Sequence, residues 1–170
     1  MKTSSDTAGS HFNQCTNPLV NQSTIYQILE TVTDPEIPVI SLIDLGVVRE
    51  VKIENGDVEI IITPTYTGCP AMLEMEKDIY NALKKEGIEK IKVTTVLSPA
   101  WTTAWMSEEG KRKLEEYGIA PPNPTNPEDI ACPQCKSKNT ILMSQFGSTA
   151  CKALYKCEDC LEPFDYFKCH

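Results

Sequence analysis

The spacing of apolar residues predicts a helix, a hairpin, a second helix and a third strand. Residues 24–32 place Ile25, Ile28, Leu29 and Val32 on one helical face, with Ser23 or Thr24 as cap. The residue before a proline is pushed out of the α region, so this helix stops ahead of Pro35. Leu42-Ile43-Asp44-Leu45-Gly46 reads as one helical turn closed by its glycine. Residues 47–54 and 57–63 are strand-like and joined by Asn55-Gly56, a strong short-range hairpin signal. Val58, Ile60 and Ile62 alternate onto one face, and Pro64, with no N–H to donate, ends the ladder.

Residues 71–86 predict an amphipathic helix. Met72, Met75, Ile79 and Leu83 form its stripe, Leu73 and Tyr80 widen it, and Gly87 stops it. A strand over 90–97 follows, with Ile91, Val93 and Leu97 alternating. Strand, helix, strand implies a right-handed crossover and a parallel pair. The apolar segment 98–106 carries both tryptophans and either caps the core or forms a docking patch. Ser107 then caps a short charged helix ending at Tyr117-Gly118.

Four prolines between residues 120 and 127 mark a change of composition. They predict an extended linker over 119–131 between an α/β domain at 24–118 and a module at 132–170. Residues 1–23 are polar, lack a basic-then-apolar leader pattern, and are expected to be a disordered tail. Cys15 within the tail is given no role. The expected fold class is thus α+β, a small mixed sheet with packed helices, followed by a small β ribbon. The net charge of −8 opposes binding to nucleic acid or an anionic membrane, and no apolar run approaches the roughly 18 residues of a membrane span.

The chain has eight cysteines, and four fall into Cys132-Pro133-Gln134-Cys135 and Cys157-Glu158-Asp159-Cys160, separated by 21 residues. Without a leader, a reducing cytoplasmic setting is expected, where such pairs read as metal ligands rather than disulfides. Each pair fits a tight knuckle, and four thiolates close a tetrahedron around one structural zinc ion, although iron also takes tetrahedral sulfur. Strand-like runs at 140–144, 153–156 and 163–168 make the module a zinc ribbon. So short a module needs the metal to fold. Its five lysines and four acids, with the charge of the zinc centre, leave it about −1, which removes the main source of nucleic-acid affinity. Cys151, in a small-residue turn, and Cys169-His170 are candidate secondary ligands or free groups.

Cys69 stands apart from these pairs. It lies where the loop Thr63-Pro64-Thr65-Tyr66-Thr67-Gly68 becomes a helix, with Pro70 placed as the first helical residue. Unpaired N–H groups and the helix dipole favour a thiolate there, Glu74 and Glu76 oppose it, and burial as a small apolar residue is the other reading. Asp34 and Glu36 flank Pro35 either as a solvated turn or as paired acids aimed at a site.

Asp34-Pro35-Glu36-Ile37-Pro38, Asp44-Leu45-Gly46-Val47-Val48, Thr63-x-Thr65-x-x-x-Cys69-Pro70 and Ser98-Pro99-Ala100-Trp101 resemble the iron–sulfur assembly domain of SufT-like and cytosolic iron–sulfur targeting proteins. The ribbon, with Gln145-Phe146-Gly147-Ser148-Thr149-Ala150-Cys151-Lys152 and Glu162-Pro163-Phe164-Asp165-Tyr166-Phe167-Lys168-Cys169, narrows the resemblance to the PaaD (PaaJ) family. It covers about residues 24–170. The resemblance implies a non-enzymatic, cytoplasmic accessory protein of phenylacetate catabolism. Its partners would be phenylacetyl-CoA epoxidase subunits or iron–sulfur assembly proteins, and it would help mature an iron–sulfur or di-iron centre. It also implies that Cys69, with Asp34 and Glu36 nearby, is the place where iron or a cluster is held transiently. The other readings are a stable zinc-binding subunit of the oxygenase, a thiol oxidoreductase, which the lack of a second cysteine in a Cys-x-x-Cys arrangement with Cys69 weakens, and a nucleic-acid-binding ribbon.

Overall fold

A computed structural model describes residues 21–123, 126 and 129–168. Cys15, Cys169 and His170 lie outside the described residues. Helix α1 (Gln22–Leu29) opens on Asn21, whose side chain accepts the Thr24 N–H. The cap is therefore Asn21 and not Ser23 or Thr24, because an amide oxygen three residues upstream already satisfies that donor. The helix thus reaches back into the stretch expected to be tail. Ile25 and Leu29 are buried in it, and Gln22 Nε2 donates to the Val51 carbonyl at 2.7 Å.

Strands β1 (Val48–Glu54) and β2 (Asp57–Ile62) form the expected antiparallel hairpin, with Glu54 opposite Asp57. Asn55 and Gly56 both have positive φ, 51° and 85°, as a two-residue turn of this hand requires. Helix α2 (Met72–Lys85) crosses to β3 (Ile91–Thr95), which pairs parallel to β2. The three-stranded sheet runs β1-β2-β3. Val58, Ile60 and Ile62 of β2 meet Met75, Ile79 and Leu83 of α2 in one buried cluster.

Several expectations are corrected here. Helix α2 starts at Met72, because residues 66–72 form a turn in which Cys69 N–H donates to the Tyr66 carbonyl; Pro70 precedes the helix. Leu73 and Tyr80 do not widen the buried stripe: Leu73 is 71% exposed, since β3 ends the sheet and no described residue covers that flank. Leu97 lies beyond the end of β3 and is 56% exposed.

The tryptophan segment serves both domains. Trp101 is buried, and its indole N–H donates to the Leu45 carbonyl at 3.0 Å. Trp105, in the 3₁₀ turn Thr103–Trp105, is covered by the Arg49 guanidinium at 3.4 Å from the ring centroid. Helix α3 (Glu108–Glu116) is capped by Ser107, whose Oγ accepts the Gly110 N–H. That hydroxyl also donates to Asp44 Oδ1 at 2.6 Å, and Lys113 donates to Asp44 Oδ2 at 2.7 Å.

The stretch expected to be only linker begins as structure. Ile119–Ala120 form β4, which pairs parallel to β7 (Pro163–Phe167) opposite Asp165 and Tyr166. With β5 (Thr140–Ser144) and β6 (Lys152–Cys157) they make a four-stranded sheet in the order β4-β7-β6-β5. Ala120 and Ile130 are buried in the ribbon's own cluster with Phe164 and Tyr166. The sheet gains from the linker a strand too short to register as an alternating pattern. A second unexpected contact joins the ribbon to the first domain. Cys151 and Phe167 of the ribbon belong to the first domain's buried cluster, and the Phe167 ring lies 5.9 Å from that of Trp101.

Candidate metal centre and the Cys69 site

The knuckles of the ribbon are built alike. In the first, Cys132 N–H donates to the Ser137 carbonyl at 2.8 Å and Lys136 N–H to the Cys132 carbonyl at 2.9 Å. In the second, Cys157 N–H donates to the Glu162 carbonyl at 3.0 Å. Lys136 and Leu161, each directly after the second cysteine of its pair, have positive φ of 63° and 68°. Two non-glycine residues in this disfavoured region at equivalent positions show both turns bent to aim sulfur inward. Asp159 ties the knuckles together by accepting from the Ser137 hydroxyl and, at 2.8 Å, from Asn139 Nδ2.

As a result the sulfur atoms of Cys132, Cys135, Cys157 and Cys160 all lie within 4.8 Å of one another. Cys132 and Cys160 are 3.7 Å apart, and Cys135 and Cys157 are 3.5 Å apart. A zinc tetrahedron with bonds near 2.3 Å has edges of about 3.8 Å, so the donor set fits that ion in both chemistry and spacing. The thiols do not ionise together. The Cys160 backbone N–H draws Cys157 down to about 7. The Cys160 thiol has a helpful Glu162 N–H of its own, yet burial and the neighbouring sulfurs push it up to about 12. A divalent ion relieves that repulsion. Cys151 is not a member of this tetrad.

Asp34, Glu36 and Cys69 lie elsewhere, on the first domain, with both carboxylates near enough to disfavour a Cys69 thiolate. Asp34 is 5% exposed and organises the Pro35 turn, its Oδ1 accepting the N–H groups of Glu36 at 2.8 Å and Ile37 at 2.7 Å. Burial raises the pKa of Asp34 against these bonds, and burial together with Asp34 raises that of Glu36. Cys69 is half-buried against the main cluster. Its thiol is pushed up, first by burial and then, against the Ala71 backbone N–H, by Glu36, Asp34 and Cys151. The opposing charges are those of the Pro35 turn, not of Glu74 and Glu76, and no helix dipole wins.

Sequence reasoning left Cys151 open and missed two neighbours. Cys151 faces Glu36, Lys152 and Asp34, and not the tetrad. Lys152, read in the sequence as one charge among five, is 3% exposed, pairs with Asp165 at 3.7 Å and faces both carboxylates. Tyr66 feels Cys69, Glu36 and Cys151, and also lines a cleft of about 290 Å³ between the Thr63–Thr65 strand end and Trp101. Thr63 Oγ1, in that wall, is buried with no hydrogen-bond partner among the described residues. No local pattern marks these residues, because the contact between the two sheets decides them.

Two family models divide the chain much as its sheets do. An iron–sulfur cluster assembly protein model matches residues 22–98, and a PaaD zinc beta ribbon domain model matches residues 121–168. The chain is 47% identical over 150 residues to a putative 1,2-phenylacetyl-CoA epoxidase subunit of Escherichia coli (strain K12), covering 85% of this chain and 91% of that protein. The chain belongs to the PaaD family. It is also 33% identical over 98 residues to an Fe-S protein maturation auxiliary factor of Porphyromonas gingivalis (strain ATCC BAA-308 / W83), covering 56% of this chain and 92% of that protein. Among solved structures, a domain of unknown function DUF59 from Bacillus anthracis superposes with a TM-score of 0.51 at 30% identity, over 54% of this chain and 89% of that one. These two relatives match little more than half of the chain, whereas the E. coli protein spans most of it. Kinship with a PaaD protein and with an Fe-S maturation factor supports an accessory role, and the ribbon model with the sulfur tetrad supports zinc binding. No helix among the described residues is long and apolar enough to cross a membrane.

Proposed function

We propose that this PaaD-family protein is a non-enzymatic maturation factor for a cytoplasmic phenylacetyl-CoA epoxidase, delivering iron or an iron–sulfur cluster to its oxygenase or reductase subunits. Zinc held by Cys132, Cys135, Cys157 and Cys160 is structural in this reading, and iron is cargo. The observation that carries it is the grouping of Cys69 with Asp34 and Glu36 on the domain that matches the iron–sulfur cluster assembly model. A half-buried thiol whose ionisation burial and two nearby carboxylates oppose suits transient metal loading better than nucleophilic attack. The test is Cys69→Ser in cells co-expressing the epoxidase. Iron content and activity of the purified oxygenase should fall together, and unchanged metallation would overturn the proposal.

The relative's name, an epoxidase subunit, favours a second reading as a stable component of the complex. Gel filtration separates the two. A stable component comigrates with the active oxygenase, whereas a maturation factor is absent from fully active enzyme.

A further inference from the structure

Strand β5 ends the ribbon sheet, and no described strand lies on its outer side. Its apolar side chains meet water. Ile141, Leu142 and Met143 are 44%, 48% and 57% exposed, and Phe146 just beyond them is 68% exposed. Leu142 lies opposite Tyr155 on one face of the sheet, and Ile141 lies opposite Lys156 on the other. Both faces are therefore apolar at this edge, whereas a strand that borders solvent ordinarily keeps its apolar side chains on one.

Edge strands are commonly protected by a charge or a proline, and β5 has neither. Residues 130–157 contain no Asp or Glu, in a chain of net charge −8. The lysines of this stretch are paired, Lys136 with Glu115, Lys138 with Asp129, Lys152 with Asp165 and Lys156 with Glu158. Two copies of so acidic a chain repel each other over most of their surface, and least along this edge.

The backbone and the order of side chains also suit a two-fold contact. The Asn139 carbonyl accepts the Glu158 N–H at 2.8 Å. By the alternation of an antiparallel ladder, residues 139 and 141 address β6 and Leu142 turns its N–H and C=O outward. Laid antiparallel on itself about Leu142, the strand matches at each position. Leu142 meets Leu142, Ile141 meets Met143, and Thr140 meets Ser144. A two-fold interface requires that self-complementarity.

We propose that β5 pairs antiparallel with the β5 of a second copy, about a two-fold axis at Leu142, joining two ribbons in one continuous sheet. The occupant is another copy and not a foreign strand, because β5 is its own complement and carries no charge to select a different one. The bulge between Leu142 and Ser144 bends the strand and keeps the new ladder short. Both copies use the same edge, so assembly closes at the dimer. A contact of one short strand belongs to the small interfaces, below about 1,200 Å² in total, and its Kd falls at about 10–100 μM. The pairing does not depend on the maturation reading.

Sedimentation equilibrium of the full, zinc-loaded chain under reducing conditions is the test, run about tenfold below and above that Kd. The mass should rise from 18.9 kDa towards twice that value, and a mass fixed at 18.9 kDa would overturn the proposal. Amide exchange of residues 140–144 should slow as the dimer forms. Association without protection there would place the contact elsewhere, and full protection in the dilute monomer would mean that the same chain covers the edge; either result overturns it. Leu142→Lys sets two cations opposite each other across the axis and should weaken association about tenfold or more, with zinc content and melting temperature unchanged. Leu73→Gln removes an exposed leucine from the first domain instead and should leave association as it is. Undiminished association in Leu142→Lys, or an equal loss in Leu73→Gln, would count against the β5 contact. Should Leu142→Lys fold poorly, amide exchange of the wild-type protein decides.

Discussion

Asp44 shows how single residues hold the Cys69 face in place. Its carboxylate receives the Ser107 hydroxyl and the Lys113 ammonium, and its carbonyl receives the Ser107 N–H. These bonds tie the turn before β1 to the start of α3. Although partial burial works the other way, Lys113, Ser107 and Ser41 together hold the pKa below its ordinary 3.8. A carboxylate with a lowered folded-state pKa contributes stability above its unfolded pKa and loses it as pH falls through the folded value. Asp44→Ala should therefore cost about 1–3 kcal/mol at neutral pH, and the gap to the wild type should close below pH 3.8. Thermal melts at a series of pH values give the answer, and a gap independent of pH would contradict it. Asp44 and Leu45 were legible in the sequence only as part of a short helical turn and of a family motif. The structure gives them work: Asp44 anchors α3, and the Leu45 carbonyl anchors Trp101.

At the scale of elements, legibility follows the distance over which a pattern is decided. The face of α2 depends on residues three and four apart, and the hairpin on Asn55-Gly56, so both are readable from a short window. Ile79→Ala, at the centre of the α2 stripe and fully buried, should cost about 2–5 kcal/mol, whereas Leu73→Ala on the uncovered flank should stay within about 0.5 kcal/mol. Urea midpoints of the two variants check this, and comparable losses would contradict the α2 packing described. Strand β4 is different. Two residues carry no period, and their partner β7 lies at the far end of the ribbon, so composition alone made them linker. Ala120→Asp would place a carboxylate in the ribbon cluster and should speed loss of zinc to a chelator, while the first domain keeps its fold. Zinc release at the wild-type rate would show that β4 is dispensable.

For the molecule as a whole, the packing between modules decides more than the modules do. Both tryptophans belong to the segment after β3, yet one of them rests on a ribbon side chain. Removing zinc should therefore be visible from the first domain. Chelation is expected to red-shift tryptophan emission as Trp101 loses Phe167, and re-addition of zinc should reverse the shift. An unchanged spectrum after complete zinc loss would mean that the contact does not depend on the metal. Phe167→Ala should shift emission likewise without stripping the metal, at a cost of about 3–5 kcal/mol. The same packing explains what the sequence could not yield about the site. The Cys-x-x-Cys spacing reveals the tetrad because each pair folds locally, but the burial of Cys151 and Phe167 in the main cluster appears only once the ribbon is laid on the helix-and-sheet domain.

Strand β7 also sets an order of events during synthesis. Its Phe164 and Tyr166 complete the ribbon cluster, and the adjacent Phe167 completes the other. Until these five residues leave the ribosome, β4 has no strand to lie against, β6 has only one of its two neighbours, and Trp101 faces water on the side that Phe167 will cover. The nascent chain therefore carries two unfinished halves, and both close on the same late strand.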